Sequence, residues 1–84
     1  MGKIDYLMRV KKDLMDFEAC LDRFSDRKEA YDKWLKEYRL LGVVEVVRSL
    51  ISQFQGVDDI KRELNVVYRM IEEEIAKESE EEGG

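Results

Sequence analysis

The chain reads as an all-α domain, a small bundle of three to four helices. Three observations predict it. Apolar residues recur at helical rather than strand spacing along most of the 84 residues; there is no Pro; and Gly is confined to positions 2, 42, 56, 83 and 84. Hydrophobic residues make up 44% and charged residues 42%, the balance expected of amphipathic helices with little neutral polar sequence between them. One domain over residues 1–78 is expected, with 79–84 as a disordered acidic tail.

In the first helix, expected over about 4–24, Leu7, Val10, Leu14, Phe17, Leu21 and Phe24 follow 3-4-3-4-3 spacing and make a coiled-coil-like seam. Ile4, Met8 and Met15 widen the face on one side, Tyr6 and Cys20 on the other. Asp26 followed by Glu29 is a capping-box signal, so a corner at Ser25–Asp26 is preferred and a second helix is expected over 27–41. The heptad phase nevertheless resumes at Tyr31, Leu35 and Tyr38, which leaves one continuous helix over 4–41 as the alternative.

The third helix, over 43–55, is the most apolar segment and is expected to be central to the core. Leu40, Val43, Val44, Val46, Val47, Leu50, Ile51 and Phe54 share an arc roughly 160° wide on a helical wheel. Carried unbroken through Gly42, that arc would face away from the apolar side of the preceding helix. A turn or C-cap at Gly42 is therefore expected. Gly56 closes this helix, and Asp58 or Asp59 caps a fourth over 58–77, whose stripe is Ile60, Leu64, Val67, Met70, Ile71 and Ile75. The remaining KESEEEGG has no apolar residue after Ala76 and is expected to fray.

Composition narrows function by exclusion. With no His in the sequence, Ser–His and Cys–His nucleophile pairs cannot be built, and a zinc site would need Cys or carboxylate substitutes. Glu72, Glu73, Glu74 and Glu78 read as a solvated face, and no Gly-rich phosphate loop exists. No catalytic, cofactor-binding or metal-ligating residues are expected, and the protein is expected not to be an enzyme. A single cysteine, Cys20, gives no sign of an oxidising compartment, and neither a signal-peptide block nor a membrane span is visible; cytoplasmic residence is expected. Scarce Asn and Gln beside abundant Lys, Glu and Arg resemble a heat-adapted composition.

The expected function is a non-enzymatic protein-interaction module, a dimerising adaptor or small regulator. Leu7, Leu14, Phe17 and Leu21, with Val43, Val47, Leu50 and Phe54, are expected to carry a homodimer interface that supplements a small core. Tyr31, Trp34 and Tyr38, bordered by Lys33 and Arg39, are the candidate patch for an unknown protein partner, because Trp, Tyr and Arg dominate binding hot spots. The alternative is a nucleic-acid-binding regulator using Arg27, Lys28, Lys36 and Arg39. The net charge of −5 speaks against it only in part, because residues 1–48 carry 11 basic against 10 acidic side chains.

Overall fold

The computed structural model describes residues 2–83, and the side chains of 2–80. It is all-α, with helices α1 (Lys3–Phe24), α2 (Arg27–Trp34), α3 (Leu41–Gln53) and α4 (Val57–Gly83) and no strand among the described residues. The body measures 45 × 24 × 19 Å. No helix is long and apolar enough to cross a membrane among the described residues.

The corner at Ser25–Asp26 forms as the capping signal predicts. Ser25 takes the left-handed conformation at φ 58° and its N–H closes α1 on the Leu21 carbonyl at 3.0 Å. The Asp26 carboxylate then accepts the N–H groups of Lys28 and Glu29, two of the donors that a helix start leaves unpaired. The heptad continuing to Tyr38 does not extend the helix, because the cap stops it.

The central element is α1, not α3. It packs against all three other helices, most extensively α2 and α4. The core is Leu14, Phe17 and Leu21 of α1, Ala30 and Trp34 of α2, Val43, Val47 and Leu50 of α3, and Ile60, Leu64 and Ile71 of α4. The coiled-coil-like spacing of α1 is thus answered by helices of its own chain. On α3 the broad arc is only partly covered: Val44, Ile51 and Phe54 are half-buried and Val46 is exposed.

Two boundaries depart from the sequence reading. Helix α2 ends at Trp34, and residues 35–40 form the connection that turns the chain; Gly42 lies inside the first turn of α3 with no positive φ. The physical reason is tertiary. Arg39 Nε donates to the Trp34 carbonyl at 3.0 Å and the Leu40 N–H goes to the Asp13 carboxylate at 3.2 Å, so groups a longer α2 would bond internally are engaged elsewhere. This connection also absorbs the reversal of apolar face around Gly42 within a single chain.

At the other end, α4 begins at Val57, so Asp58 and Asp59 occupy its first turn rather than the cap, where they still meet the positive end of the helix dipole. The helix runs on through Gly83, past the expected end at 77. Lys77 to Glu82 are mostly good helix formers, and extending an existing helix costs far less than starting one. Gly84 lies outside the described residues.

Candidate functional site

A buried polar cluster surrounds Asp13, which is 0% exposed. Its carboxylate accepts from Arg9 Nε at 3.1 Å and from the Leu40 N–H at 3.2 Å, and Arg39 Nη1 lies 3.6 Å away. Its backbone carbonyl accepts the Trp34 indole Nε1–H at 2.8 Å. Arg39 also donates to Asp16 at 2.8 Å and sits over the Trp34 ring at 5.2 Å from its centroid. Partial burial pushes the Asp16 carboxyl up, but hydrogen bonds from Arg39 and then Lys12 outweigh it and hold it below its ordinary value. Every participant is paired to another part of the chain, so this cluster fastens the 35–40 connection to α1. It is architecture.

The candidate partner patch is split by the fold. Trp34 is 0% exposed, edge-on to Phe17 with centroids 5.5 Å apart, so it is a core residue and not a surface anchor. Tyr31 is half-buried beside it, with centroids 6.2 Å apart. Only Tyr38 is at the surface, 72% exposed and resting against Arg9 at 5.8 Å.

The expected oligomer interface is corrected in the same way. Leu14, Phe17, Leu21, Val43, Val47 and Leu50 are buried within one chain, and Leu7 and Phe54 are half-buried against them. Side chains already out of water gain no further burial from a second copy. Of the basic residues of helix two, Arg27 donates to the Ile51 carbonyl at 2.7 Å, capping the end of α3, and Arg39 belongs to the Asp13 cluster. Lys28 and Lys36 remain exposed. With exposed Lys33, which rests over the Phe24 ring, they make three lysines interleaved with Glu29, Asp32 and Glu37, a surface of mixed sign and not a phosphate-tracking stripe.

Apolar surface is instead left open along two grooves. Between α1, α3 and α4, Tyr6, Leu7 and Val10 of α1, Gly42 and Val46 of α3, and Val67 and Ile71 of α4 line a recess of about 230 Å³. A second recess of about 360 Å³ shares Val46 and Val67 and continues past Ser49 to Gln53, Glu45 and Glu63. The two recesses adjoin at Val46 and Val67, and the pair is termed the trough; their lining residues on α3 span Gly42 to Gln53, roughly 16 Å at 1.5 Å per residue. On α4, Met70 is exposed three residues after Val67, on the neighbouring helical row, and Val66 is exposed as well, though neither lines the recesses. The other groove, about 490 Å³, lies on the outer side of α1 and α4. Met8, Met15 and Ile75 form its apolar part, with Lys11 and Lys12 at the rim.

Sequence reasoning missed both the Asp13 cluster and the trough. Asp13 stands at the heptad position of Tyr6 and Cys20, a charge inside an apolar arc, and that was the available signal. The trough had a weaker one: Val46 at the margin of the α3 arc. Elsewhere on α4, Glu72 pairs with Lys11 at 2.8 Å and Glu74 and Glu78 with Lys3 at 3.5 and 3.4 Å; Lys61 also bonds Asp22. No cluster of His, Cys, Asp and Glu that could hold a metal ion occurs among the described residues. Cys20 is a half-buried free thiol whose pKa burial pushes up, away from reactivity.

No protein-family model, curated protein or solved structure matches this chain. Its chemistry must be read from its own surface.

Proposed function

We propose that this protein is a non-enzymatic interaction module, and that it engages a partner protein through the trough between α3 and α4 and the adjoining face of α1. The observation that carries this reading is the trough itself: the exposed apolar side chains Tyr6 and Val46 line it together with half-buried Leu7, Val10 and Val67, beside a packed core. Contiguous apolar surface rimmed by polar residues marks interaction sites on small proteins, whereas isolated exposed residues do not. The charged clusters, by contrast, are consumed in holding the fold together.

The reading includes a homodimer, seated on the outer α1–α4 groove rather than on the core residues. Met8 and Met15 are more than half exposed there, and flexible thioethers suit an adaptable contact. It also includes cytoplasmic residence, in keeping with a lone free cysteine.

The test is photo-crosslinking in the native cell, with benzoylphenylalanine placed at Tyr6 and, as a control, at exposed Lys77. A discrete protein adduct at Tyr6, absent at Lys77 and lost on adding Val46→Glu, is expected. Adducts equal at both positions, or none, would remove the trough as a partner site.

A further inference from the structure

We infer that the occupant of the trough is an amphipathic helix of another protein, its apolar face on the Tyr6–Val46–Val67 end and a Lys or Arg over Glu45 and Glu63. This rests on the interaction reading above and specifies the partner. Length is the first argument. Three helical turns of α3 form one bank, the span over which a docked helix presents anchors at i, i+3 or i+4, and i+7.

Charge is the second argument. The apolar recess has no charged side chain in its lining, while the adjoining one is lined by two carboxylates, Glu45 and Glu63, and no cation. Arg48 approaches Glu45 only at 3.9 Å, as an exposed pair on the same helix that water screens. A basic side chain at one end of the incoming helix would therefore gain from both carboxylates, and an acidic one would be repelled.

Gly42 supplies the third. It has no positive φ, and a Cβ there would meet only the Tyr6 hydroxyl at an ordinary 3.6 Å. Neither backbone conformation nor internal packing asks for glycine at this position, and glycine costs helix stability relative to alanine. The absent side chain leaves the wall of the trough low, so another helix can approach the α3 backbone closely. A second copy of this chain is a poorer occupant. The basic residues beside its open outer α1–α4 groove, Lys11 and Lys12, are already paired with Glu72 and Asp16, and its long helix α4 is acidic toward the C-terminus.

The experiment is selection from a displayed library of single helices with Leu fixed at i, i+3, i+4 and i+7 and the other positions varied among Lys, Glu, Ala and Gln. Selected helices, remade as labelled peptides, are titrated by fluorescence anisotropy. Enrichment of Lys at one end is expected, with affinity reduced about tenfold in Glu45→Lys/Glu63→Lys and falling as salt rises. Val46→Glu, checked for helicity, should abolish binding. Helices enriched without charge preference, or binding indifferent to the double reversal, would overturn this inference and leave the interaction reading intact. So would a mass of twice 10.0 kDa that Val46→Glu returns to monomer, since a second copy would then fill the trough. Binding that survives Val46→Glu would overturn the inference and the trough together.

Discussion

The indole Nε1–H of Trp34 donates to the backbone carbonyl of Asp13 at 2.8 Å, joining the last residue of α2 to the middle of α1. The same two residues bracket Arg39, which stacks on the Trp34 ring and reaches the Asp13 carboxylate. An aromatic core contact and an ionic contact thus share one geometry, and the connection leading to α3 is held by both.

Trp34→Ala should destabilise the protein by about 3–5 kcal/mol, the usual cost of deleting a buried aromatic side chain. For a domain of this size that is most of the stability available. Urea unfolding followed by circular dichroism, independent of the lost indole fluorescence, checks it. A loss below about 1 kcal/mol would contradict the core placement.

Asp13→Ala should cost about 3–5 kcal/mol, because Arg39, 5% exposed, would lose a carboxylate and the Leu40 N–H its acceptor. Asp13→Asn keeps an acceptor for that N–H and should cost less. The order of the urea midpoints, wild type above Asn above Ala, is the readout.

Arg27→Ala should lower stability by about 1 kcal/mol through loss of the bond that caps Ile51 at the end of α3. Its effect on nucleic acid should be nil: the wild type is expected to show no retention of duplex DNA or RNA in a low-salt filter assay. Salt-sensitive binding lost in this variant would restore the nucleic-acid alternative.

Stability should respond to pH at both extremes, for opposite reasons. Asp16 has a folded pKa below its ordinary 3.8, so its contribution is present above that value and is lost as pH falls through the lower folded one. Tyr68 is shifted the other way: burial first, then the hydrogen bond its hydroxyl donates to Glu18 at 3.0 Å, raise its pKa well above 10.0. Its contribution is present below pH 10.0 and declines as pH rises beyond that. Absorbance at 295 nm during alkaline titration should show a late phenolate step that Tyr68→Phe removes.

Gly42→Ala should stabilise α3 by about 0.5–1 kcal/mol, since the backbone there is ordinary helix and the added methyl finds room. Thermal unfolding measures this gain.

Periodicity alone determined a great deal. Helical spacing of apolar residues specified the all-α class, the seam of α1 and most of the inward set of α3 and α4, because one buried face per helix is enough to write that pattern; Val46 and Met70, expected in those stripes, are exposed. The Ser25–Asp26 corner was equally legible, since a cap is a local hydrogen-bond device. What only the tertiary structure decided was where α2 stops, which apolar faces meet inside one chain, and which are left over. Trp34 and Tyr38 look alike on a wheel, yet one is sealed beneath Arg39 and the other stands in water. The difference comes from the bonds Arg39 and Leu40 make to α1, across 23 and 27 residues of sequence, which no local pattern encodes. The trough has the same origin: Val46 and Val67 are each ordinary members of an apolar stripe, and only the way α3 and α4 come together leaves them lining open recesses.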